Sequence, residues 1–329
     1  MRWGPGLLTL VILAAGCGGA AVVPHEKITF ANLAGIYFSA TPGTQVDGAL
    51  VEDSEALLVR AVTDLNKAKD LNFVVISGDL FARADALSLD RAKGVLAELK
   101  APYYVVFGDH DVPADKEGMS RTVLALAFQG HGFEGPENYW AHEAAPGLLL
   151  VGLDTAQAGR RAGHVDATQL DWLDKTLTQN ANKAVVVVAH HGLAQIHPLD
   201  EGSEWRDLLA DNADEVRAVL ARHKNVVLVV TGHHHMAAGS VSGSSIYLAG
   251  PSLSVWPLAY HLVRLTPREA EAVWVSVGTD DQTRRAQDRL LTSKSLRGVF
   301  PPGEDGDTAC VRFFGGNKME VYPLQDIRP

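Results

Sequence analysis

The sequence predicts an α/β fold whose strands run largely parallel. Three observations point there. Short apolar, β-branched runs recur along the chain, helix-period stretches separate them, and several of the runs end in Gly, Asp or His. Continuous apolar runs of this length are what strands buried on both faces require. Strand–helix alternation then places parallel strands side by side with helices on the sheet faces. A length of 329 residues suits one large α/β domain with additions, or two small domains.

The elements follow in order. Residues 1–17 read MRWGPGLLTLVILAAGC. Arg2 supplies a minimal positive region, and the apolar stretch from Leu7 to Ala15 is too short to span a bilayer. It runs into Leu13-Ala14-Ala15-Gly16-Cys17, which resembles a bacterial lipoprotein signal with Cys17 as the lipidated residue. A plain secretory signal cut near Ala20 or Ala21 is the alternative. Both readings make the mature protein exported, and the first anchors it to the cell envelope, facing the periplasm or the exterior. Residues 18–26 form a tether, residues 27–279 the main domain, and residues 280–329 an extension.

Within the main domain the strand-like runs are Ile28–Leu33, Phe73–Ile76, Tyr103–Phe107, Leu148–Leu153, Val185–Val188 and Val226–Val230. Between them Leu58, Ala61, Val62 and Leu65 share one helical face, and Leu89, Ala92, Leu96 and Leu99 another. Asp166 with Gln169, and Asn212 with Glu215, read as capping pairs ahead of two further helices. In the extension, Gln282–Leu291 reads as a helix and residues 301–307 as a loop. Val311–Phe314 and Met319–Tyr322, joined by Gly315-Gly316-Asn317, read as a hairpin. The two cysteines exclude a disulfide scaffold, and Cys310, in an apolar run, reads as a small buried hydrophobe.

Charge constrains the chemistry. Lys plus Arg is 29 against 39 Asp plus Glu, a formal net charge of −10. Such a chain repels a phosphate backbone, so no nucleic acid partner is expected. Any work on phosphate needs positive charge from something other than a basic surface.

Four runs end in residues that bind metals. They lead into Gly78-Asp79, Gly108-Asp109-His110-Asp111, His190-His191 and Gly232-His233-His234-His235. The carboxyl ends of strands line the ligand crevice of open α/β sheets. Mixed imidazole and carboxylate donors suit Mn, Fe or Zn.

In order and spacing these motifs resemble the calcineurin-like metallophosphoesterase family, in its cyclic-nucleotide-phosphodiesterase-like branch, over roughly residues 27–278. The resemblance implies a four-layer α/β/β/α sandwich with a two-metal site at the strand ends. Asp79 would bridge both metals, and Asp109 (where the family has Asn), His190 and His233 would complete the second site. His235 would bind the first metal. His110 would protonate the leaving oxygen or stabilise the transition-state charge, with Asp111 orienting it; His191 and His234 carry no ligand role. The first motif departs from the family: Gly35 stands where its Asp is expected and Tyr37 where its His is expected. The expectation is therefore one divalent ion at the second site, with two ions as the alternative, and Tyr37 as a stacking or gap-filling residue in a vacated pocket. The expected activity is hydrolysis of a small phosphate mono- or diester by metal-activated water, weakened by the loss at 35 and 37. The alternative is a catalytically dead scaffold of the cell envelope. Specificity would sit in the segments Thr41–Asp53, Pro113–Glu143 and Leu193–Glu204.

Overall fold

The computed structural model describes residues 26–324, apart from 113–117, 136, 203–204, 298–299, 301–302 and 317. The expected signal, Cys17 and most of the tether lie outside the described residues. In chain order the elements are β1 (Ile28–Leu33), α1 (Ser54–Leu65), β2 (Phe73–Ser77), α2 (Ala86–Leu96), β3 (Tyr103–Val106) and α3 (Arg121–Ala127). There follow β4 (Trp140–Ala145), β5 (Leu148–Gly152), α4 (Ala167–Gln179), β6 (Ala184–Val188), α5 (Ala213–Leu220) and β7 (Val226–His235). The last are β8 (Ala238–Ser242), β9 (Ser245–Pro251), β10 (Ala259–Leu265), β11 (Glu269–Ser276), α6 (Asp280–Thr292), α7 (Glu304–Gly315) and β12 (Met319–Pro323).

The strands form two six-stranded sheets among the described residues, ordered β12-β11-β10-β1-β2-β3 and β4-β5-β6-β7-β9-β8. The runs recognised in the sequence form the parallel centres: β1 with β2 and β2 with β3 in one sheet, β5 with β6 and β6 with β7 in the other. Antiparallel strands flank them, so both sheets are mixed.

The pleat explains the layering. Successive strand residues point to opposite faces. Leu150, Val186, Val188 and Val230 share one apolar cluster with Phe30, Val75 and Tyr104 of the other sheet, which makes the layer between the sheets. Their neighbours Leu149, Val151, Val185 and Val187 pack with Leu173 and Leu177 of α4 and Val216 and Leu220 of α5. Leu57, Leu58 and Ala61 of α1 and Ala92 of α2 cover the outer face of the first sheet. This is the expected α/β/β/α order.

Two local expectations are corrected. Asp166 does cap α4, accepting from Gln169 N at 2.8 Å. Asn212 makes no such cap on α5; its amide instead pairs with both backbone groups of Val165, at 3.0 and 2.7 Å, tying the loop before α4 to α5. In the extension, Val311–Phe314 is helix rather than hairpin. Its Cys310 and Phe314, one helical turn apart, are both fully buried, and acidic Glu304, Asp305 and Asp307 occupy the first turn of α7, where the helix dipole favours them. β12 pairs with β11, at the edge of the first sheet. Cys310 is a free, buried thiol that burial pushes up to about 11. No helix of the described residues is long and apolar enough to cross a membrane.

Buried His261 of β10 makes stability depend on pH. Its Nδ1 has no hydrogen-bond partner among the described residues, and burial lowers the imidazole from 6.5 to about 4. The unfolded chain therefore takes up this proton first. Stability is expected to fall as pH drops through about 6.5, with the loss complete below about 4 and amounting to about 3 kcal/mol. Urea unfolding of wild type and His261→Gln at pH 7 and pH 4 checks this: the acid penalty should shrink in the variant.

Candidate metal centre and active-site cleft

Tight turns bring the strand ends together. After β2, Gly78 and Asp79 both take left-handed backbone, φ +88° and +52°. A Cβ on Gly78 would strike the His190 ring, and one on Gly108 would strike the Asp79 carboxylate. Glycine at 78 and 108 therefore lets the turns after β2 and β3 close on the end of β6. Tyr37, His233 and His235 are also left-handed, at φ +49°, +60° and +57°. Such conformations cost roughly 1–3 kcal/mol each in non-glycine residues and gather at functional sites.

Three donor atoms converge, and an Asp79 oxygen approaches one of them. His190 Nδ1 donates to the Ser77 carbonyl at 2.9 Å, which turns Nε2 into the site. That Nε2 stands 3.1 Å from Asp109 Oδ1, 3.1 Å from His233 Nδ1 and 3.5 Å from Asp79 Oδ1, and His233 Nδ1 is 3.3 Å from Asp109 Oδ1. Ligands about 2.1 Å from one ion stand about 3.0–3.4 Å apart at octahedral to tetrahedral angles. The spacing and the two-imidazole, two-carboxylate chemistry fit a divalent transition ion. The ligand-capable atoms of Asp109, His190, His191 and His233 also lie within 4.8 Å of one another. His191 is nevertheless committed elsewhere: Nε2 donates to the Arg161 carbonyl at 2.9 Å and Nδ1 accepts from the Thr155 hydroxyl at 2.8 Å.

The electrostatics ask for a cation. Burial opposes ionisation of Asp109, yet the hydrogen bond and charge of His190 hold its carboxyl well below the ordinary range. Burial would also lower His190, but Asp79 and Asp109 outweigh it and hold that imidazole at about 9. His233 is kept neutral by burial, so its lone pair is available. Without an ion, the two carboxylates hold a proton on His190 between them.

Residues 51–237 match the family model of the calcineurin-like phosphoesterases. The chain belongs to the calcineurin-like phosphoesterase family. A relative from Psychrobacter arcticus, named "Probable cyclic nucleotide phosphodiesterase", is 29% identical over 189 residues, covering 55% of this chain and 62% of its own length. A 3',5'-cyclic-nucleotide phosphodiesterase from Nostoc sp. is 25% identical over 233 residues, covering 69% of this chain and 80% of its own. The fold resembles a dimetal phosphatase from Danio rerio, with a TM-score of 0.59 at 19% identity, covering 76% of this chain and 97% of the other.

As a calcineurin-like phosphoesterase this chain departs at the place of the first ion. Tyr37 is buried, and its hydroxyl donates to Asp79 Oδ2 at 2.9 Å. The same oxygen stands 2.9 Å from His235 Nε2. A carboxylate only accepts, so His235 Nε2–H donates to the phenol oxygen. Burial, then the Asp79 charge, raises Tyr37 well above 10, so it stays a neutral phenol. The expected filler of a vacated pocket is thus a hydrogen-bonded link between Asp79 and His235. His235, expected to bind the first metal, places its Nε2 against Tyr37.

Asp111 is also corrected. Its carboxylate accepts from the backbone N–H of Phe81 and Gly108, both at 2.8 Å, and of Leu80 at 3.3 Å. It fastens the turn after β2 to the turn after β3 and makes no hydrogen bond to the His110 ring. His110 Nδ1 faces the Ala82 carbonyl at 3.3 Å. Burial opposes protonation of His110, but Asp79 and Asp109 outweigh it and raise it above 6.5. His234, fully buried, ties to Asp200 at 3.3 Å.

A cleft of about 740 Å³ opens over the centre, with Asp109 and His110 in its wall and Thr41, Thr44, Arg83 and Arg161 around them. Thr41 and Thr44 belong to the first expected specificity segment. Sequence reasoning missed three participants: Ser252, which backs Gly35, Thr155, which fixes His191, and Arg161. Only Arg161 left a trace, as an adjacent basic pair between glycines, Gly159-Arg160-Arg161-Ala162-Gly163.

Proposed function

We propose that this chain is a metal-dependent hydrolase of small phosphodiesters, working with one divalent ion held by Asp79, Asp109, His190 and His233. The observation that carries the reading is the convergence of the Asp109, His190 and His233 donor atoms, with Asp79 Oδ1 3.5 Å from His190 Nε2. Relatives named as cyclic-nucleotide phosphodiesterases support the diester class. When bound, the ion would polarise a phosphoryl oxygen and lower the pKa of the attacking water. His110, at the cleft wall beside Asp109, donates its proton to the leaving oxygen. His190 is oriented by Ser77, and Asp111 keeps the two turns that carry Asp79 and His110 in register.

The test is hydrolysis of bis-p-nitrophenyl phosphate and of a methyl ester with added Mn. His110→Ala should slow the poor methanol leaving group about 10²–10⁴-fold and p-nitrophenolate far less, because only the former needs the proton. Equal effects on both esters would remove His110 from this role.

A second reading is a binding module that has lost catalysis. The Tyr37 hydroxyl between Asp79 and His235 favours it. Stoichiometric metal with no hydrolysis of either ester would select this reading. For location, we propose a cell-envelope lipoprotein anchored through Cys17, a reading that rests on the sequence of residues 1–17. Labelled palmitate should enter the wild type and not Cys17→Ala; equal labelling of both would sink the anchor.

A further inference from the structure

The loop after β5 carries Arg160 and Arg161 to the cleft. It is held firmly. Arg160 N donates to the Gln157 carbonyl at 3.0 Å across a turn whose Gly159 sits at φ +71°. Asp211 takes the Arg160 guanidinium on one oxygen at 3.1 Å and His164 on the other at 2.5 Å. The Arg161 carbonyl accepts from His191 Nε2 at 2.9 Å. His191 is fully buried, and its Nδ1 accepts from the Thr155 hydroxyl at 2.8 Å, so Nε2–H is a fixed donor that joins the Arg161 backbone to the strand end bearing His190.

The three cleft arginines differ in what they already do. Arg160 is paired with Asp211, and Arg83 is engaged. The Arg161 side chain is exposed and forms no ion pair or hydrogen bond among the described residues, although it lines the same cleft as Asp109. A neutral phenol at the place of the first ion leaves that side of the site short of two positive charges, and Arg161 returns one.

We propose that Arg161 binds the phosphoryl group of the substrate by charge-assisted hydrogen bonds to its non-bridging oxygens, with His191 as its positioning residue. A guanidinium presents paired N–H donors that match phosphate geometry. This inference rests on the phosphoesterase reading of the site and names the group that substitutes for part of the missing ionic charge.

The experiment is calorimetric titration of the metal-replete full chain with inorganic phosphate, with metal content measured in parallel. Arg161→Ala should weaken phosphate binding about 10–100-fold with metal content unchanged, and Arg161→Lys should recover part of the loss. Arg160→Ala should lose clearly less than Arg161→Ala, since that side chain is occupied by Asp211 and reaches the ligand only through the loop it helps to hold. Phosphate binding by Arg161→Ala within twofold of wild type, equal losses at 160 and 161, or no phosphate binding by wild type would overturn the proposal. Arg161-dependent phosphate binding in a chain that hydrolyses nothing would keep it and remove the hydrolase reading. Hydrolysis with phosphate binding indifferent to Arg161 would do the reverse.

Discussion

Asp109→Ala is expected to empty the metal centre and abolish nearly all hydrolysis. Asp109 Oδ1 is the atom common to both imidazoles, 3.1 Å from His190 Nε2 and 3.3 Å from His233 Nδ1. Removing it leaves Asp79 as the sole carboxylate ligand, and Asp79 is already shared with the Tyr37 hydroxyl. Loss of an outer-shell partner alone costs about 10–100-fold in affinity, so loss of a direct ligand should cost at least ~100-fold. Forfeiting the ion should slow diester hydrolysis about a thousandfold. Metal analysis after dialysis, with a hydrolysis assay, reads both effects. Asp109→Asn separates coordination from charge: it keeps a ligand oxygen and should retain most of the metal. Asp109→Ala that still holds metal like the wild type would refute the assignment.

Gly35→Asp is expected to destabilise the fold rather than repair the first metal motif. Gly35 has φ +51°, which side chains tolerate poorly. A Cβ there would stand 2.5 Å from Ser252 Oγ and 2.9 Å from Ser252 Cβ. Ser252 cannot retreat cheaply, because its hydroxyl donates to the Gly35 carbonyl at 2.7 Å and accepts from Val255 N at 3.0 Å. Strained backbone and overpacking together should cost about 3–5 kcal/mol, lowering Tm by about 5–10 °C. Gly35→Asp with Tyr37→His should therefore gain no second ion. Adding Ser252→Gly removes the obstructing side chain and should permit one. Calorimetry and metal counting follow the series. A stable double variant that already holds two ions would show that the Ser252 contact does not close the site.

The contrast between these substitutions shows how much of the site the sequence displayed. Asp79, Asp109, His190 and His233 were legible because each follows a β-branched run, and strand ends meet at one sheet edge whatever the loops do. The central strands were legible for the same reason: burial on both faces demands continuous apolar residues. The α7 segment was misread because its apolar run is short enough for a strand, and the acidic first turn that favours a helix was passed over. Asp111 looked like a partner for its neighbour His110, yet its oxygens are taken by backbone N–H groups from residues 80, 81 and 108. No pattern in one sequence records which backbone donors a carboxylate will find. The flanking antiparallel strands β4, β8 and β11 were likewise unassigned, since their half-exposed residues lack the apolar continuity that marked the centre.

The sequence by itself determined the fold class, the ligand types and the departure at 35 and 37, because these depend on residue chemistry and local periodicity. Only the tertiary structure decided what replaced the lost ligands. The Tyr37 hydroxyl meets Asp79 and His235 across separations of 42 and 198 residues, and Ser252 closes on Gly35 across 217. His191 likewise fixes the Arg161 carbonyl from 30 residues away. Contacts of that kind are set by the turns that superpose strand ends, and packing in three dimensions, rather than spacing along the chain, selects them.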